Sequence, residues 1–167
     1  MTHSARVVTV STRAADPELV GYQDTTGPVG AAMLTDLGFV VDQVVIVPDG
    51  PAVGSALRAA VADRIALVVT CGGTGIGVGD CTPEQTRAVL DVEVPGIAEL
   101  VRARSWDAVP TAVLSRGISG VAGSTLIVNL PGSVSAIREC LTWIADVLPH
   151  ACDQISGGDH VRSDHPK

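Results

Sequence analysis

Apolar and polar positions along the chain follow two alternating periods. Short runs dense in β-branched residues predict strands at Arg6–Ser11 (RVVTVS), Phe39–Val47 (FVVDQVVIV), Ile65–Thr70 (IALVVT), Thr111–Leu114 and Thr125–Asn129. Between them apolar residues recur at helical spacing. Thr26-Gly27-Pro28 opens one such stretch, with Thr26 as N-cap and Gly38 as stop. Val53, Leu57, Ala60 and Val61 mark a helix over Val53–Ala62. Thr82-Pro83-Glu84-Gln85 predicts a helix start, with Thr82 as N-cap, Pro83 at the first helical position and Gln85 closing a capping box; this helix runs to about Leu90. Pro95-Gly96 opens another, to about Arg104. Ser133 caps a last helix carrying Val134, Ile137, Leu141, Ile144 and Leu148, which Pro149 should kink or interrupt. The polar stretch Thr12–Asp24 reads as a surface loop.

Strands alternating with helices predict an α/β domain of three layers, a mostly parallel sheet with helices on both faces. The run IALVVT is apolar throughout, as a central parallel strand buried on both faces must be. In such sheets ligands bind off the C-terminal strand ends. The loops that follow strands are therefore where chemistry is expected: Thr12–Asp24, Pro48–Pro51, Cys71–Cys81, Ser115–Gly123 and Leu130–Ser133.

Composition narrows the picture. At 167 residues the chain suits one domain over 1–167, with an ordered core over about 5–156 and a polar tail over 157–167 in which His160 and His165 read as solvated. Aromatics are only 2% of residues, so the core must be built from Val, Ala, Leu and Ile, and Trp106 and Trp143 read as packing residues. A net charge of −7, with Lys167 as the single lysine, gives no basic face for nucleic acid. No run is long and apolar enough to span a membrane, and the N-terminus has no apolar signal region. Cys71, Cys81, Cys140 and Cys152 form no C-x-x-C and read as reduced buried thiols, which suits a cytoplasmic setting.

The segment Thr70–Glu84, TCGGTGIGVGDCTPE, carries the strongest chemical signal. Five glycines directly follow a buried strand. Glycine admits positive φ and lets backbone amides close on a ligand, and successive amides of that kind form an anion nest. Asp80 ends the loop. A carboxylate beside a phosphate nest is repulsive unless a metal bridges them, and Mg²⁺ favours one or two carboxylates together with substrate phosphate oxygens. The residues by themselves also allow a plain glycine turn with Asp80 placed for the helix dipole. Neither a P-loop, which needs a lysine, nor G-x-G-x-x-G is present.

In order along the chain, Ser11-Thr12-Arg13-Ala14, Asp24-Thr25-Thr26-Gly27, Val47-Pro48-Asp49, Gly72-Gly73-Thr74-Gly75 with Asp80-Cys81-Thr82-Pro83-Glu84, Pro95-Gly96, Leu114-Ser115-Arg116-Gly117 and Gly123–Ser133 (GSTLIVNLPGS) resemble the blocks of the MogA/MoaB family of molybdenum cofactor biosynthesis, nearest its Mog branch. The resemblance covers about residues 5–158. It implies adenylyl transfer from MgATP to molybdopterin, with pyrophosphate released, by a molybdopterin adenylyltransferase that works as a homotrimer and hands its product to a MoeA-like molybdenum insertase. It further implies that Gly72, Gly73, Thr74, Gly75 and Thr82 hold phosphate. Asp49 and Asp80 would be the functional carboxylates and would hold Mg²⁺. Ser11, Arg13, Ser115, Arg116, Asn129, Pro131, Gly132 and Ser133 would line the pterin or nucleotide pocket. In one place the chain departs from the pattern: Gly79 stands where many members carry arginine directly before the motif aspartate, and Arg13 or Arg116 is left to supply the missing charge. Glu84 reads as an exposed first-turn acid. Two other functions fit the same fold, a non-catalytic molybdopterin-binding protein and a CinA-like nucleotide pyrophosphatase; the latter resembles longer chains with an added domain.

Overall fold

The computed structural model describes residues 2–19 and 21–157. The expectation for His160 and His165 lies outside the described residues. The chain runs β1 (Ser4–Val10), α1 (Thr12–Ala15), α2 (Thr26–Asp36), β2 (Val40–Val47), α3 (Pro51–Ala62), β3 (Leu67–Cys71), α4 (Thr82–Arg87), β4 (Val92–Glu93), α5 (Pro95–Ser105), a 3₁₀ helix (Pro110–Leu114), β5 (Ser119–Ala122), β6 (Thr125–Leu130), α6 (Val134–Ile144) and α7 (Val147–Ile155). One six-stranded sheet has the order β2-β1-β3-β6-β5-β4. β2, β1, β3 and β6 are parallel; β5 runs antiparallel to β6, and β4 antiparallel to β5.

The period of two sets the layers. On β1, β3 and β6, Ala5, Val7, Leu67, Val69, Leu126, Val128 and Leu130 face one side and pack with Leu34 of α2, Ile97 and Val101 of α5, and Ile137, Leu141 and Ile144 of α6. Val8, Val10, Val68 and Ile127 face the other side and pack with Val53, Leu57 and Ala60 of α3. Helices thus cover both faces of a mostly parallel sheet, as the alternation predicts. Buried side chains of this kind each contribute about 1.5–3 kcal/mol when removed from water.

Several element ends follow their local chemistry. α2 stops where Gly38 takes φ +89°, and the Gly38 amide bonds to the Thr35 carbonyl. The Ser133 hydroxyl accepts from the Ala136 amide and caps α6. Helicity breaks at Ala145-Asp146, which leaves Pro149 in the first turn of α7, where its missing N–H leaves no carbonyl unpaired.

Three local expectations are corrected. Thr111–Leu114 is not a strand: Pro110 starts a 3₁₀ turn there, and the outer strands next to β6 are β5 and β4. The cap of α4 is Cys81, whose side chain makes no capping hydrogen bond, and Thr82 is already helical and buried; the capping box does not form, and the helix ends at Arg87. At α2, Thr25 takes the cap position, and Asp24 supplies the cap through its carboxylate, which accepts from the Thr26 and Gly27 amides. The polar loop after β1 also holds the short helix α1, capped by Ser11.

Candidate active site

The parallel strands end on one rim, and most of the matching motifs lie there. β3 runs into Gly72 and Gly73, both in the left-handed region with φ +113° and +65°. A side chain is excluded at both. A Cβ on Gly72 would lie 2.4 Å from the Val10 carbonyl oxygen. A Cβ on Gly73 would lie 2.2 Å from Asp49 Oδ2 and 2.3 Å from Thr82 Oγ1. Glycine therefore lets the loop pass directly over a carboxylate and a hydroxyl. The Thr82 hydroxyl is buried and has no hydrogen-bond partner among the described residues. An unpaired buried hydroxyl is costly, and this one is covered by the Gly73 backbone.

Asp49 follows β2, and Asp80 ends the glycine loop. With Val10, Ser11, Thr12, Arg13, Gly73 and Gly79 they line one cleft. Asp49 Oδ1 accepts three donors, the Gly50 amide at 2.8 Å, the Cys81 amide at 3.2 Å and the Cys81 thiol at 3.1 Å. Asp80 Oδ2 accepts the Gly77 amide at 2.9 Å. Asp49 Oδ2 and Asp80 Oδ1 have no hydrogen-bond partner among the described residues. Two half-buried carboxylates thus keep one open oxygen each. No group of three His, Cys, Asp or Glu side chains among the described residues could hold a metal ion on its own.

Arg13 is exposed, with its guanidinium 5.2 Å over the Tyr22 ring. It lines both this cleft and the adjoining polar one of 250 Å³, which is walled by Ser11, Tyr22, Asp24, Thr26, Gly72 and Gly132. On the far side of Thr74-Gly75 lies a mainly apolar cavity of 270 Å³. Ser115, Pro131 and Ser133 line it together with Val101, Val109, Ala112, Leu114 and Glu139.

Two expected pocket residues sit elsewhere. Asn129 is buried under the loop, its amide donating to Thr70 Oγ1 at 3.0 Å and Thr86 Oγ1 at 2.9 Å, so it is a strut of the floor. The Arg116 guanidinium does not point into a cleft; it is bound to the loop's own carbonyls and to Glu84. That leaves Arg13 as the cation open to a ligand among the named site residues. Cys81 was read from the sequence as an ordinary buried thiol. It is half-buried and braces Asp49; burial, then the Asp49 hydrogen bond and charge, push its thiol up to about 11. Its place between Asp80 and Thr82 of the motif was the available signal.

A family model described as "Probable molybdopterin binding domain" matches residues 6–150. The chain superposes on the molybdopterin biosynthesis Mog protein from Mycobacterium ulcerans with a TM-score of 0.85 at 46% identity, covering 94% of this chain and 99% of that one. It is 47% identical over 91 residues to a molybdopterin adenylyltransferase of Helicobacter pylori, covering 54% of this chain and 52% of that protein. It is 39% identical over 143 residues to the Drosophila melanogaster molybdenum cofactor synthesis protein cinnamon, covering 83% of this chain and 23% of that protein. The chain thus spans about half or less of the length of these two curated relatives.

Proposed function

The chain belongs to the molybdenum cofactor biosynthesis family of molybdopterin-binding domains, and from that membership we propose that it is a molybdopterin adenylyltransferase, joining molybdopterin to the adenylyl group of ATP. One observation carries the reading. The positive-φ Gly73 lies in one cleft with Asp49 and Asp80, so the glycine loop's backbone and two carboxylates with open oxygens meet at the strand ends. A simple turn would not need Gly73 to pass over Asp49 and an unpaired Thr82 hydroxyl.

The reaction needs little acid–base chemistry. A phosphate oxygen of molybdopterin attacks the α-phosphorus of ATP; the new P–O bond forms as the bond to the β-phosphate oxygen breaks, and pyrophosphate leaves. Both reactants are polyanions, so the work is positioning and charge stabilisation. Gly73, Thr74 and Gly75 present amides to phosphate, while the Gly72 amide is held by the Leu130 carbonyl at 3.0 Å. Arg13 supplies positive charge where Gly79 supplies none. The apolar cavity beside Thr74-Gly75 takes a flat heterocycle, and the polar clefts take the phosphates. The donor set fits Mg²⁺: Asp49 Oδ2 and Asp80 Oδ1 would hold it, and phosphate oxygens would complete a shell the protein does not fill alone. When bound, such an ion neutralises phosphate charge.

The homotrimer, the hand-over to a MoeA-like insertase and the cytoplasmic setting belong to this proposal. Among the described residues no helix is long and apolar enough to cross a membrane. Incubation with molybdopterin and MgATP tests the activity. Adenylyl-molybdopterin and pyrophosphate are the expected products. Pterin binding without turnover, or AMP released from a dinucleotide instead, would contradict it.

A further inference from the structure

The glycine loop is closed at its neck by the Thr82 amide on the Gly73 carbonyl, 3.1 Å, and at its tip by the Asp80 amide on the Gly77 carbonyl, 3.0 Å. Between these, five residues with three glycines (Gly75-Ile76-Gly77-Val78-Gly79) have little of their own to hold them. Ile76 and Val78 point outward, exposed at 67% and 111%. A segment of that composition has many backbone states available, and glycine loses more freedom on ordering than any other residue. Something must select the one state in which Asp80 faces the cleft.

The structure assigns that role to Arg116, paired with Glu84, as a positioning residue for Asp80. Its Nε donates to the Gly75 carbonyl at 2.7 Å, on the outgoing arm. Its Nη2 donates to the Asp80 carbonyl at 2.6 Å, on the returning arm. Its Nη1 pairs with the Glu84 carboxylate in the first turn of α4. The Arg116 amide donates to the Thr74 carbonyl at 2.7 Å. One planar fork thus ties both arms of the loop to the helix that follows it. A guanidinium can bridge two arms in this way and an ammonium cannot, because its donors lie in one fixed plane at fixed angles. Asp80 itself is held from two directions, through its own carbonyl by Arg116 and through its carboxylate by the Gly77 amide. The pairing also explains why Arg116 does not replace the charge absent at Gly79: two of its guanidinium nitrogens are spent on the loop and the third on Glu84.

This inference rests on the adenylyl-transfer reading for its kinetic arm only. Hydrogen–deuterium exchange of unliganded wild type, Arg116→Ala and Arg116→Lys reads the loop directly. The hydrogen-bonded Gly77 and Asp80 amides should exchange about tenfold faster in both variants, while the strands keep wild-type protection. In the transfer assay, Arg116→Ala should lose about a hundredfold in kcat, with KM for molybdopterin within about twofold, since Asp80 is misplaced while the pterin's own contacts remain. Millimolar guanidinium should restore part of the Ala variant's rate and none of the Lys variant's. Unchanged exchange at Gly77 and Asp80 would overturn the assignment, as would a raised KM for molybdopterin at normal kcat, which marks direct substrate contact. Wild-type protein that makes no adenylyl-molybdopterin would overturn the activity and leave the exchange result to decide on Arg116.

Discussion

At Gly73 the requirement of the site is sharpest. Alanine there would have to adopt φ +65° and place its methyl carbon 2.2 Å from Asp49 Oδ2. The left-handed conformation alone costs about 1–2 kcal/mol, and the clash must move Asp49 or the loop. Gly73→Ala should therefore abolish measurable adenylyl transfer, a loss of at least about a hundredfold, while the protein still folds. Its far-ultraviolet circular dichroism should match wild type, and a variant retaining a tenth of the activity would refute this account of the loop. Asp49, Asp80 and the glycines stand out in the sequence as residue types suited to phosphate and Mg²⁺, and the structure brings Asp49, Gly73, Gly79 and Asp80 to one cleft. Arg116 and Asn129 were read as pocket residues because motif spacing reports which loop a residue is on, not which way it points. Arg116 turned toward bare carbonyls, and Asn129 toward two buried hydroxyls.

The elements read from periodicity were right where burial enforced the pattern. β3 and β6 are enclosed on both faces and match their apolar runs almost end to end. Thr111–Leu114 misled because four apolar and β-branched residues suit a strand, yet they follow Pro110, lie outside the sheet, and leave Val113 and Leu114 half exposed at 53% and 47%. Trp106, expected to pack, is likewise exposed, at the end of α5, whereas Trp143 packs on the core. In α6 and α7, Cys140 and Cys152 are buried, and burial pushes both thiols up to about 12. A thiol whose folded pKa lies above its unfolded 9.0 costs no stability below that value, and stability falls as pH rises from there toward 12. Native protein at pH 8 should therefore leave both unlabelled by Ellman's reagent, react at both once denatured, and melt at lower temperature at pH 10.5 than at pH 8. Rapid labelling of either in the native state would contradict this packing.

On the scale of the molecule, the fold followed from the alternation of strand and helix patterns, and the end of the sheet that carries the site followed from the fold. What the pattern could not give was the antiparallel edge, because β4 has only two residues and β5 only four, too short for any period to register. Quaternary structure was equally silent in the sequence. Trp106, Val109, Val113 and Leu114 gather exposed apolar surface near α5 and the 3₁₀ helix, and exposed patches of that kind suit an interface between subunits. Sedimentation equilibrium at micromolar concentration should give three times the 17.0 kDa of the chain; a monomer there would contradict the trimer. The central claim, that Asp80 serves the reaction and not the fold, is tested most directly by Asp80→Asn. Asparagine keeps the size and an oxygen to accept from the Gly77 amide, but not the charge for Mg²⁺. Adenylyl-molybdopterin formation with MgATP, measured beside a thermal melt, should fall about a hundredfold, a loss of roughly 3 kcal/mol of transition-state stabilisation, with stability changed by only about 0.5 kcal/mol. Near-wild-type turnover in a variant that melts normally would contradict the account.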